Sequence, residues 1–214
     1  MVVFLFTLAA CGGPKTETQP QTETQATSSE TKSPEAKQAE TAAENEQAAS
    51  TPAANERKTL VVYFSATGTT KGVAEQIASA ANADTYQILA AQEYTADDLN
   101  WNDQNSRTTI EQNDKSVRPA IGSETLSLDG YTTVFIGYPI WWGEEPRTMD
   151  TFVESYDFSG KTVIPFCTSG SSDIGTSASN LHALASDAAW KDGRRFAAGT
   201  SQATVEAWLQ SLGY

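Results

Sequence analysis

The chain has 214 residues, 39% of them hydrophobic, and a formal net charge of −13 from 14 Lys and Arg against 27 Asp and Glu. So acidic a chain repels nucleic acid phosphate and anionic headgroups, and nucleic acid is excluded as an expected partner. With two cysteines, Cys11 and Cys167, and one histidine, His182, no zinc or iron–sulfur cluster is expected.

Residues 1–11, "MVVFLFTLAAC", carry an apolar run too short to span a bilayer as a helix, and they fit the apolar region of a secretory signal. Leu8-Ala9-Ala10-Cys11 resembles a bacterial lipobox, in which Cys11 would carry the lipid, although Met1 to Val3 lack the usual basic residues. Residues 12–57 are built from Thr, Gln, Glu, Ala, Ser and Pro, without an aromatic or branched aliphatic side chain as far as Asn55. Such a stretch cannot bury enough apolar surface to offset its ordering entropy, so a disordered polar tether is expected. A coil of about 45 residues spans roughly 35–40 Å, enough to hold a domain clear of a surface. The expected location is a bacterial cell membrane, lipid-anchored and extracytoplasmic.

Residues 58–214 contain all five Trp and suffice for one packed domain. Thr59–Phe64 is an apolar run of buried-strand type. Val73, Ala74, Ile77, Ala78 and Ala81 then share one helical face. Asp84–Leu89 reads as a second strand. The connection from Ala90 to Gly130 is long, polar and weakly periodic, as functional or disordered loops are. "TTVFIGYP" is a third strand, and Pro146 opens a helix striped by Met149, Phe152, Val153 and Tyr156. "KTVIPFC" is a fourth strand, in which Cys167 reads as a packed thiol. Ile174, Ala178, Leu181 and Ala185 mark another helix, where His182 reads as a surface or half-buried residue. "RRFAAG" is a short fifth strand, and Val205, Trp208, Leu209 and Leu212 stripe the last helix. Strands alternating with amphipathic helices predict an α/β, doubly wound parallel sheet covered on both faces.

Ligands of such sheets sit beyond the carboxyl ends of the strands. At the first end, Ser65-Ala66-Thr67-Gly68-Thr69-Thr70 joins a strand to a helix start. Free N–H groups, the positive end of a helix dipole and rotatable hydroxyls suit a phosphate there, and Gly68 lets the backbone come close. The third strand ends in "GYPIWWGEEP" and the fourth in "FCTSGSSDIG", the one aromatic and the other rich in hydroxyls and exposable backbone. Together they describe a flat, polar-edged ring bearing a phosphate, as in flavin mononucleotide (FMN).

These three loops, in this order, resemble the flavodoxin family over Lys58 to Tyr214, in particular a bacterial flavodoxin-like branch with "YPIWWG" and "FCTSG" loops. Ser65 to Thr70 matches the family's Ser/Thr-x-Thr-Gly-x-Thr phosphate motif at every fixed position. The resemblance implies a five-stranded sheet in the order 2-1-3-4-5 and FMN as cofactor. It implies a phosphate held by Ser65, Ala66, Thr67, Gly68, Thr69 and Thr70. Pro139, Ile140, Trp141, Trp142 and Gly143 would flank the ring, with Trp141 or Trp142 stacking. Thr168, Ser169, Gly170, Ser171 and Ser172 would meet its pyrimidine edge. Well-known flavodoxins place a Tyr after the fourth strand, and "CTSGSSD" has none. Either residues from Tyr94 to Arg118, including Trp101 and Arg107, cover that outer face, or it stands open.

The implied function is electron carriage to a redox partner protein or small acceptor, with no catalytic side chain. The alternatives are an FMN-dependent NAD(P)H:quinone-type oxidoreductase and a non-redox module for a phosphorylated ligand. No Lys or Arg lies in Ser65–Thr70, Tyr138–Glu145 or Thr168–Asp173, whereas Glu144, Glu145 and Asp173 do. These loops are therefore expected to oppose added negative charge on a bound ring.

Overall fold

The computed structural model describes residues 58–214, so the leader, Cys11 and the tether lie outside the described residues. Eleven elements follow in chain order: β1 (Lys58–Phe64), α1 (Thr69–Ala81), β2 (Asp84–Ile88), α2 (Arg107–Asn113), β3 (Tyr131–Pro139), α3 (Arg147–Ser155), β4 (Thr162–Thr168), α4 (Ser177–Leu184), β5 (Ala189–Trp190), β6 (Arg194–Phe196) and α5 (Gln202–Ser211). The sheet runs β2-β1-β3-β4-β5, and β6 also pairs with β4. Every paired strand is parallel.

The expected order 2-1-3-4-5 therefore holds, with one refinement. The fifth position is split: β5 pairs Thr162 and Val163, while β6 pairs Phe166 to Thr168 of the same strand. Lys191 to Gly193 interrupt it. Leu89 and Ala197 to Gly199 fall outside their expected strands, and Ile174 and Ala185 fall just outside α4.

Alternation along the strands sends side chains to two separate cores. Leu60, Val62, Phe64, Val134, Ile136 and Tyr138 face α3 and α4 on one side, where they meet Met149, Phe152 and Leu181. Val61, Tyr63, Phe135, Ile164 and Phe166 face the other, against Val73 and Ile77 of α1 and Val205, Trp208 and Leu209 of α5. Both faces are covered, so a ligand can meet the sheet at the strand ends.

The segment between β2 and β3 holds one short helix, α2, that periodicity does not reveal. Ser106 caps it, accepting a hydrogen bond from Thr109 N. Its buried side is polar, with Thr108, Thr109, Glu111 and Gln112, whereas its Ile110 is 54% exposed.

Candidate functional site

At the carboxyl ends of β1 and β3 a cavity of about 370 Å³ opens. Ser65, Ala66, Thr67, Thr69 and Thr70 line it from the first loop, and Pro139, Ile140, Trp141 and Trp142 from the third strand's end. Leu99, Trp101 and Thr108 join from the β2–β3 segment. Two of the three loops that the sequence singles out thus meet at one wall. Leu99 and Thr108 carry no sequence signal beyond their place in a long polar connection.

The first loop is shaped for an anion. Gly68 caps α1 with φ 89°, a left-handed conformation that glycine adopts without a Cβ penalty. Gly68 N donates to Ser65 Oγ at 3.1 Å, which closes the loop on itself. The backbone ladder starts from Gly72 N to Gly68 O, so the N–H groups of Thr69, Thr70 and Lys71 stand ahead of it. No acidic residue occupies this first turn to compete with an anion for the helix dipole.

The turn after β3 separates the two tryptophans. Trp141 N donates to Glu144 O (2.9 Å) and Glu144 N to Trp141 O (3.0 Å), closing a two-residue turn. Trp142 and Gly143 both have positive φ, 49° and 81°, as a type I′ turn demands. A Cβ-bearing residue there costs roughly 1–2 kcal/mol, so Trp142 is held under strain. Trp142 is 44% exposed and lines the cavity. The Trp141 ring instead packs edge-on against Phe64 and Tyr94, at centroid distances of 5.6 and 5.3 Å. Both line the cavity, and Trp142 is the more exposed of the two.

The loop after β4 lies one strand further along. Thr168 is buried, its hydroxyl 2.7 Å from that of Thr70, and its carbonyl accepts from Ile140 N at 2.9 Å. Ser169 Oγ donates to Ser172 O. Arg195, from β6, donates to the carbonyls of Ser169 (2.8 Å) and Gly170 (2.6 Å) and to Ser169 Oγ (3.0 Å). Ser169 to Ser172 do not line the cavity wall, and nothing in the sequence points to Arg195 as their anchor. Gly143 does not line the cavity, and its carbonyl lies beside Gly175.

Trp101, 70% exposed, stands at the cavity from the β2–β3 segment, where Arg107 does not. The Arg107 guanidinium lies 4.0 Å over the Tyr94 ring and pairs with Glu111 at 2.7 Å. Burial raises the Tyr94 phenol above its ordinary range.

For Glu144 and Glu145, two of the three loop acids expected to oppose negative charge, the surroundings weaken that opposition. Glu144 is paired with Lys115 (2.6 Å) and Arg147 (2.5 Å), which hold its carboxyl below the usual range. Glu145 is 1% exposed, and burial, reinforced by the nearby Asp150, pushes its pKa up to about 7. The compensating cations come from outside the loops, which is why loop composition misjudges the field. Cys167 is fully buried, and burial pushes its thiol up to about 12, as suits a packing residue. His182 stacks on Trp190 at 5.7 Å and takes no part in the cavity.

A family model described as Flavodoxin matches residues 58–212. A candidate flavoprotein from Bacteroides uniformis is 48% identical, with a TM-score of 0.69 over 72% of this chain and 97% of its own. One from Bacteroides eggerthii is 47% identical, with a TM-score of 0.69 over 73% and 98%. A flavoprotein from Lactobacillus acidophilus, solved in complex with FMN, shares the fold at 22% identity and a TM-score of 0.54, over 72% and 99%. No curated protein matches.

Proposed function

The chain belongs to the flavodoxin family, and from that premise we propose that it binds FMN in the β1–β3 cavity and carries electrons between partners. The residues present fit the group. Thr67, Thr69 and Thr70, with the N–H groups at the start of α1, would hold the phosphate. Trp142 offers the exposed ring for stacking, and Trp101 stands at the same cavity from the β2–β3 segment. FMN, when bound, supplies the electron-storing chemistry. The chain's own task is to bind it, orient it and set its surroundings.

One observation carries the carrier reading. Among the described residues, no acid, base, thiol or imidazole lines the cavity. Of the ionisable residues nearby, Arg107 and Glu111 pair with each other, and Glu145 is buried behind the turn. A side chain that moves protons to or from a substrate has no place on this wall.

The reductase reading rests on a different observation: Trp101 is 70% exposed and is the aromatic that the β2–β3 segment brings to the cavity, which leaves room for a flat donor. Purification of the full chain followed by anaerobic addition of NAD(P)H separates the two. Flavin absorbance that persists with NAD(P)H but bleaches with a low-potential reductant supports the carrier. Bleaching by NAD(P)H within turnover times overturns it, and a colourless protein that takes up no FMN overturns both.

We further propose that a lipid on Cys11 anchors the domain outside the cytoplasm through the polar tether. The lipobox-like Leu8 to Cys11 and the hydrophilic run that follows it support this reading. The domain's surplus of acids suits a basic redox partner, whose approach it would steer.

A further inference from the structure

Behind the Trp141–Glu144 turn lies a buried charge cluster that forms no part of the cavity wall. Its centre is Arg147, 2% exposed at the start of α3. Three carboxylates meet this one guanidinium: Glu144 at 2.5 Å from Nη2, and Glu145 and Asp150 each at 3.3 Å from Nη1. Lys115 takes the other oxygen of Glu144, at 2.6 Å. Arg118 lies 3.7 Å from Asp150 but makes its two short bonds, 2.7 and 2.8 Å, to Glu154. Neutral partners complete the surroundings. Asn180 of α4 donates to both oxygens of Glu145 (3.2 and 3.1 Å), and Gln112 of α2 donates to the carbonyls of Trp141 and Glu145. Tyr138 of β3 and Asp114 after α2 are the other titratable groups that feel the cluster.

Glu145 is left without a cation of its own, since it shares Nη1 with Asp150. Two carboxylates on one guanidinium nitrogen, away from water, cannot both ionise cheaply. A second observation is independent of charge. Asp150 Oδ1, Gln112 Oε1 and Arg147 Nε are buried without a hydrogen-bond partner among the described residues, on side chains each more than nine-tenths buried. Two of the three are acceptors lacking a donor. A proton removes one negative charge and adds the missing kind of group.

We propose that Glu145 and Asp150 together bind a single proton at neutral pH, and that this proton sets the position of the Trp141–Glu144 turn and with it the Trp142 ring. With the proton bound, Nη1 faces one anion and the cluster is at rest. With it released, two anions share that nitrogen and repel. Glu145 directly follows the turn, and Gln112 ties both its carbonyl and that of Trp141, so the displacement is passed to the turn. Trp142 already sits in a left-handed conformation that it leaves with a gain in energy. The device uses only residues of this chain and does not depend on FMN being the ligand.

The test uses the full chain stripped of flavin, in a His182→Gln background because that imidazole stacks on Trp190, a second fluorophore. Infrared spectra should show a carboxylic-acid C=O stretch at mildly acid pH that disappears on going to mildly alkaline pH. Tryptophan fluorescence should change with the same midpoint, and Trp142→Phe should abolish that change. Both signals should be lost in Glu145→Gln and in Asp150→Asn. If neither variant folds, the coincidence of the two midpoints and the Trp142→Phe control decide alone. The proposal is overturned if no such stretch persists near neutrality, if it survives in folded variants, or if the Trp142 signal stays flat while the stretch titrates.

Discussion

Thr70 Oγ1 and Thr168 Oγ1 lie 2.7 Å apart in the interior, although 98 positions separate the two residues in sequence. The bond spans the end of β3 and ties the start of α1 to the end of β4, so the two loops are fixed relative to each other. Thr168→Val should strand a buried hydroxyl and destabilise the flavin-free protein by about 1–3 kcal/mol, whereas adding Thr70→Val should recover part of the loss. Urea unfolding of the three variants checks this. Additive losses would mean that the hydroxyls do not act as a pair.

The phosphate assignment makes a sharper demand. Thr67→Ala with Thr69→Ala should weaken FMN by tenfold to several hundredfold, since bonds to a charged group are worth about 1.5–3 kcal/mol. Riboflavin lacks the phosphate, and its affinity should scarcely move. Equal losses for both ligands would remove the phosphate from this loop.

Trp142 should show opposite effects on folding and on binding. Asn tolerates positive φ far better, so Trp142→Asn should stabilise the flavin-free chain by about 1 kcal/mol. The same change removes the exposed ring and should weaken FMN severalfold or more. Thermal denaturation and fluorescence titration read the two effects separately. A variant less stable without FMN would show that the turn is unstrained.

Burial and Asp150 push Glu145 up to about 7 from an ordinary value of 4.5, so the folded state holds a proton that the unfolded state has released. Stability should therefore fall as pH rises from about 4.5 to 7 and level off above. The loss is about 3.5 kcal/mol, because a tenfold difference in proton affinity between the two states is worth about 1.4 kcal/mol. Asp150, also raised by burial, acts in the same direction. Urea midpoints from mildly acid to mildly alkaline pH should show the slope, and Glu145→Gln should flatten it. A rising or flat wild-type profile contradicts the assignment.

For the anchor, Cys11→Ser should leave the domain folded and coloured but shift it from the membrane fraction to the soluble one. Fractionation followed by a flavin spectrum measures both. Unchanged membrane association would assign the attachment to something other than a lipid on Cys11.

Much of the architecture can be read from the residues. Parallel strands covered on both faces are near-continuous apolar runs, so β1, β3 and β4 are legible to within a residue or so. Helix α2 is hidden for a physical reason: it turns Thr108, Thr109, Glu111 and Gln112 inward and Ile110 outward, the reverse of the pattern that periodicity detects. That reversal exists because α2 supports the turn and the charge cluster rather than an apolar core. The hydroxyl loop is legible because its chemistry is local. Arg195 and Arg147 are not, because what they hold is distant in sequence or visible only in three dimensions.

The split of the fifth strand bears on how separate molecules of this protein behave toward one another. An unbroken outer strand offers a row of free N–H and C=O groups on which a neighbour can add its own strand. Here that border is cut into pieces of two and three residues, with Lys191 and Asp192 at the break. The opposite border, β2, is only five residues long, and next to its carboxyl end Ser123 Oγ bonds to Gln87 O and Leu89 N while Ala90 bridges to Ile121. Among the described residues neither side presents a long, flat template on which a second copy could extend the sheet.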